Sequence, residues 1–143
     1  MLEKYPQDVK VVFKNFPIRN HKFAEKAAIA ALAAGDQGKF WEFHDLLFKN
    51  YNKLNDQKIQ EIAQTVGLNM EEYEKKKKDP AIERKVSQDF SDGRQAGVGG
   101  TPAIFINGIR LRDRSLKGFQ TAIDKQLQKL GKTAKSHRPE IKN

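Results

Sequence analysis

An α/β layered domain built on a thin mixed sheet is the fold class this sequence predicts. Three observations predict it. Residues 9–16 are rich in β-branched and aromatic side chains and stop at Pro17. Five helical patterns follow without a break. The chain then closes with a short apolar run, Asn107-Gly108, a second apolar run and one more helix. A strand, a helical block, a hairpin and a closing helix fit a layered arrangement of helices on a sheet.

The elements can be justified in order. Val9, Val11, Val12, Phe13 and Phe16 read as a buried strand. Residues 22–34 form a first helix, so rich in alanine that its backbone can approach a neighbour closely, and Gly35 ends it. Phe40, Phe43, His44, Leu47, Phe48 and Tyr51 recur at helical spacing, with Trp41 beside them as a further core filler. Ile59, Ile62, Ala63 and Val66 give a third helix that starts after Asn55 and stops at Gly67. Asn69 is placed to cap a fourth, with Glu72 in the reciprocal capping position and Leu68 and Tyr73 as a hydrophobic staple. Pro80 suits the first turn of a fifth, which carries Ile82, Val86 and Phe90 and runs to about Ala96.

After that helix the pattern changes. Residues 97–102 read as a flexible loop, and residues 103–106 as a short apolar strand. Asn107-Gly108 is the strongest two-residue hairpin signal, because both turn positions need positive φ. Ile109, Arg110 and Leu111 return as the antiparallel partner. Ser115 caps a last helix with Leu116, Phe119, Ile123, Leu127 and Leu130 along one side. The predicted domain covers residues 1–130, and the polar, basic residues 131–143 are expected to form a disordered tail.

Composition removes several functions. The 143 residues include no cysteine, which excludes a disulfide framework, a thiolate nucleophile and a cysteine-ligated metal within this sequence. No apolar run reaches the length of a membrane-spanning helix, so no membrane partner is expected. The opening residues lack the basic-then-apolar pattern of a secretory signal. His21, His44 and His137 share no metal-ligand spacing, and neither a metal nor a cofactor is expected. His44 reads as a core or boundary histidine bonded to backbone.

The net charge of +9 raises the question of nucleic acid. Part of it sits in the tail, as Lys132, Lys135, Arg138 and Lys142 against Glu140 alone. The run of lysines at 75–78 wraps most of a helical turn rather than forming a flat stripe. A solvated helix surface accounts for it, and nucleic acid is not the expected partner. Gly99-Gly100 precedes a strand and opens no helix, so it is not a phosphate cradle. Asp113 and Ser115 read as turn and cap residues.

Two segments carry a family resemblance. The first is Val11-Val12-Phe13-Lys14-Asn15-Phe16-Pro17, followed by His21, the alanine-rich helix and Gly38-Lys39-Phe40-Trp41-Glu42-Phe43-His44-Asp45-Leu46-Leu47-Phe48. The second is Gly97-Val98-Gly99-Gly100-Thr101-Pro102-Ala103-Ile104-Phe105-Ile106-Asn107-Gly108. Together they resemble the DsbA-like thiol-disulfide oxidoreductases of the thioredoxin superfamily.

That resemblance implies a thioredoxin-like fold with a helical insertion at about residues 22–96. It places the family's cis-proline at Pro102 and a substrate-binding loop at Gly100, Thr101 and Pro102, where an extended or unfolded polypeptide would lie. It also implies a periplasmic or other extracytoplasmic site of action. One departure is severe. The family's Cys-x-x-Cys motif, with the strand before it and most of the helix it opens, is absent, so the fold reads as truncated before its first, central strand. No residue here can form a mixed disulfide.

Two functions therefore stand open. In one, the chain is part of a DsbA-like disulfide oxidoreductase or isomerase and is inactive alone, with no catalytic residue of its own. In the other, it is a cysteine-free, non-catalytic relative that binds or scaffolds polypeptides. Loss of a central strand leaves strand edges unpaired, and these are expected either to pair directly or to associate as a homodimer.

Overall fold

Four of the described α-helices open on a capping side chain. The computed structural model describes residues 2–131, so the predicted tail beyond Gly131 lies outside the described residues. Six α-helices and one short hairpin are described: α1 (Ala24–Gly35), α2 (Phe40–Lys49), a 3-10 turn (Tyr51–Lys53), α3 (Asp56–Thr65), α4 (Met70–Lys77), α5 (Pro80–Gln95), β1 (Phe105–Ile106), β2 (Ile109–Arg110) and α6 (Leu116–Lys129). Asn55 accepts from the Lys58 amide at 2.8 Å and opens α3, and Ser115 accepts from the Gly118 amide at 3.0 Å and opens α6. At α5, Asp79 accepts from Ala81 while Pro80 occupies the first turn, where a missing amide costs nothing.

The reciprocal cap expected at α4 forms only by half. Asn69 accepts from the Glu72 amide, but its own amide donates to the Gln37 side chain at 2.8 Å rather than to Glu72. Gln37 in turn donates to the Asn69 carbonyl at 3.1 Å. A residue far off in sequence thus replaces the local partner.

The chain divides into two compact units, Lys14–Gly100 and Met1–Phe13 with Thr101–Asn143. The first is helical. Five alanines of α1 are buried, and α1 packs against α2, α3, α4 and α5. Alanine at the contact face removes the bulk that would hold the helices apart. Phe43, Leu47, Ile59, Ile62, Ala63, Tyr73 and Ile82 complete this core, and Leu68 joins Tyr73 in it as the staple reading expected.

The second unit is thin. Tyr5, Ile123 and Leu127 form its buried cluster, with Val9 and Ile106 packed against them. β1 and β2 pair antiparallel, Phe105 with Arg110 and Ile106 with Ile109, around a turn whose Asn107 (φ 48°) and Gly108 (φ 79°) both take positive φ. One further bond, from the Leu111 amide to the Ile104 carbonyl at 2.8 Å, extends the pairing past the two-residue strands. At Gly118 a side chain would have no room. A Cβ there would lie 2.2 Å from the Asp113 carbonyl oxygen.

Several expectations are corrected. Residues 9–16 are not a buried strand: no strand is assigned there, and Val11, Val12 and Phe13 are 51%, 66% and 39% exposed. A strand exists only as half of a ladder, and the sheet among the described residues holds just β1 and β2. The direct pairing of residues 9–16 with residues 103–107 is therefore not formed.

On the second helical stripe, Phe43 and Leu47 are buried, whereas Phe48 is exposed and Tyr51 falls in the 3-10 turn, also exposed. Trp41 is half exposed rather than core. Leu116 and Leu130, at the ends of α6, face solvent because the thin core does not reach them.

Candidate functional site

Each predicted loop residue reaches the surface. Gly100, Thr101 and Pro102 are all exposed. A Cβ added to Gly99 or Gly100 would meet nothing within 4 Å, so neither glycine is demanded by crowding. The Thr101–Pro102 peptide bond is cis. No hydrogen bond holds the Thr101 amide or carbonyl to another described residue. An exposed residue with both backbone groups open has the chemistry needed to pair with one residue of an extended chain.

The loop is tied from the far side of the hairpin. Arg114 donates from Nη1 to the Pro102 carbonyl oxygen at 3.3 Å. A guanidinium carries five donors, so one long bond leaves most of its capacity unused. Asp113, next to it, is already committed. Its carboxylate accepts from the Ser115 amide at 2.9 Å, and bonds from the Ser115 hydroxyl and amide hold it below the usual carboxylate range. Arg114 was missed by the sequence reading. The signal available was the alternation Arg110, Arg112, Arg114 in the stretch after the hairpin.

A second polar constellation lies within the helical unit. Asp89 of α5 is only 1% exposed, and its Oδ2 accepts from both the Asn15 amide and the Asn15 side chain at 3.1 Å. Its other oxygen meets Lys85 at 2.5 Å and Lys14 at 3.2 Å. Burial pushes this carboxyl up, but the Lys85 ammonium, the two Asn15 donors and the Lys14 ammonium outweigh it and leave the group below its ordinary range. Alongside, Phe16 stacks on Phe90 with ring centroids 4.6 Å apart. A saturated carboxylate of this kind anchors a segment and has no lone pair to spare for chemistry.

The remaining candidates bring no chemistry together. His44 sits among Phe40, Trp41 and Phe48, with Nδ1 3.1 Å from an Asp45 carboxylate oxygen rather than bonded to backbone alone. His21 lies in the turn before α1, where its carbonyl accepts from Ala24. Among the described residues no cluster of three or more His, Asp or Glu could hold a metal ion, and no helix is long and apolar enough to cross a membrane. A depression along α5, lined by Pro80, Glu83, Arg84, Ser87, Gln88 and Ser91, is wide open to solvent.

With the fold and loop in place, comparison with known proteins decides the family. Residues 1–124 match the model of the DSBA-like thioredoxin domain. The chain belongs to the DsbA-like thioredoxin family. A crystal structure of a thioredoxin-like oxidoreductase from Silicibacter pomeroyi resembles it with a TM-score of 0.70 at 26% identity, over 82% of this chain and 68% of that one.

The Bacillus anthracis protein named "Probable disulfide bond formation protein D" is 28% identical over 129 residues, 85% of this chain and 59% of that protein. The Na(+)/H(+) antiporter NhaA 1 of Salinispora arenicola is 33% identical over 104 residues, 72% of this chain and 16% of the antiporter. The chain thus spans about a sixth of the antiporter and somewhat more than half of the disulfide protein. The DsbA-like fold is present here as a mostly helical chain with a two-stranded sheet and, with no cysteine in the sequence, no Cys-x-x-Cys motif.

Proposed function

We propose that this chain supplies the polypeptide-binding part of a DsbA-like thiol-disulfide oxidoreductase. Extended substrate lies along the loop Gly100, Thr101 and Pro102, and the redox dithiol comes from outside these 143 residues. The observation that carries this reading is Thr101, exposed and with both backbone groups open, in a family built for disulfide exchange. Main-chain pairing needs no thiol, so binding survives where electron transfer does not. The family's usual work outside the cytoplasm makes an extracytoplasmic polypeptide the expected substrate.

Two measurements test it. Addition of a reduced, unfolded polypeptide to the ¹⁵N-labelled chain should shift the Thr101 and Ala103 amides, while disulfide exchange by the chain alone stays at background. Exchange above background, or shifts that spare Thr101 and Ala103, would overturn the reading.

A second reading, association of two copies, rests on the exposed apolar side chains of Val11 and Val12 in a segment that joins no strand ladder. It requires a dimer in sedimentation and slow amide exchange at residues 11–13. A monomer whose amides there exchange at the unprotected rate removes it.

A further inference from the structure

Between Thr101 and Gln120 the charged residues are Arg110, Arg112, Asp113, Arg114 and Lys117. The single acid among them, Asp113, is engaged by the amide of Ser115, two residues on. Arg110, Arg112 and Arg114 are exposed and occupy alternate positions, with no turn or helix between β2 and Ser115. One member of that series, Arg114, reaches the Pro102 carbonyl, which puts a guanidinium beside the polypeptide-binding loop.

Taken with the open backbone of Thr101, these charges select among substrates. We infer that the segment bound at Thr101 and Pro102 is acidic, an extended polypeptide whose Asp or Glu side chains meet Arg112 and Arg114 while its main chain pairs with Thr101. The inference rests on the polypeptide-binding reading above and adds the substrate's charge to it. Guanidinium suits this task, because its planar fork matches a carboxylate and it stays charged at any working pH. An extended acidic peptide also fits the spacing: its alternate side chains fall on one face with the period of the arginine series. Nucleic acid is the less favoured partner for the same charges. The stretch from Thr101 to Gln120 offers Phe105 and Phe119 as its only rings, without the series of stacking platforms that single strands use.

The test uses the 143-residue chain and three fluorescent peptides of equal length that carry Glu, Gln or Lys at alternate positions, plus a single-stranded oligonucleotide. Anisotropy gives affinity, and ¹⁵N shifts at Thr101 and Ala103 give the place of binding. The Glu peptide should bind about tenfold tighter than the Gln peptide at low salt, a margin that two or three exposed ion pairs can supply and added salt should shrink. In the double variant Arg112→Glu, Arg114→Glu the ranking of the Glu and Lys peptides should reverse. Lys75→Glu, on α4, should leave it unchanged.

Equal binding of all three peptides, with Thr101 shifting each time, would overturn the acidic preference and leave polypeptide binding intact. Silence at Thr101 with every peptide would overturn both. Tighter binding of the oligonucleotide than of the Glu peptide would overturn the inference in favour of nucleic acid. Parent-like amide shifts at Ile106, Ile123 and Leu127 serve as the folding control for the double variant.

Discussion

The two units of the chain solve the same problem with unequal means. The helical unit closes on itself, with five alanines of α1 drawing α2 to α5 around a continuous apolar core. The hairpin unit relies on Tyr5, Ile123 and Leu127, and leaves Val11, Val12, Ile109, Leu116 and Leu130 largely exposed. Helices satisfy their own backbone and need only a face to bury. A sheet element needs a neighbour strand before it has a structure at all. The difference teaches that a β-branched segment without a ladder partner stays exposed, while helices of the same chain pack fully.

Predictions that would break this contrast begin with its best-anchored point. Asp89→Ala should destabilise the helical unit by about 2–4 kcal/mol in urea titration. The variant strands the Asn15 amide and side chain as buried donors, while the half-exposed lysines lose less. A loss below about 1 kcal/mol would show that the segment at Asn15 is held by Phe16 and Phe90 instead.

In the hairpin unit Gly118→Ala comes next, at about 1–3 kcal/mol, since the new methyl collides with backbone that a rotamer change cannot relieve. Tyr5→Phe is smaller, about 0.5–1.5 kcal/mol, for the loss of the 2.8 Å bond to Asp124. Thermal melts followed at residues of each unit would check both.

pH sharpens the contrast, because a buried, paired carboxylate anchors the helical unit and a buried phenol anchors the hairpin unit. Asp89 is held below its ordinary value in the fold, so its contribution is present at neutral pH and is lost as pH falls below about 4. Tyr5 behaves oppositely. Burial first, and then its bond to Asp124 and the charge of that carboxylate, push the phenol from 10.0 up to about 12. Its contribution is complete below pH 10 and disappears between there and about 12. Residue-resolved spectra should therefore lose the signals around Asn15 on acidification, whereas in alkali those around Ile123 should fade along with those around Tyr73, whose buried phenol is also pushed up. Simultaneous loss everywhere would mean that the two units melt as one.

Much of the local structure in both units was legible because its signals are short-range. Asn55, Asn69 and Ser115 cap where their side chains can reach an amide two or three residues on, and Asn107-Gly108 supplies the positive φ its turn requires. The loop at Thr101 and Pro102 was legible as a family pattern. Its neighbour Arg114 was not, because a bond across twelve residues leaves no local trace. The same distance hides Asp89, whose partner Asn15 lies 74 residues away, and Gln37, which takes the amide that Glu72 seemed placed to receive. Residues 9–16 misled for a related reason: β-branched composition reports fitness for a strand and says nothing of whether a partner is present.

By itself, then, the amino-acid order determined where helices start and stop, where the hairpin turns, and that no thiol chemistry resides in these 143 residues. Those properties depend on torsions and contacts within a few residues, or on composition alone. The tertiary structure alone decided that residues 9–13 join no strand ladder, that Asp89 is saturated by donors from a distant segment, and that Arg114 stands at the Pro102 carbonyl. Each of these is a meeting of groups far apart along the chain. Such meetings are settled by which surfaces the whole fold brings together, a global outcome that no local pattern encodes.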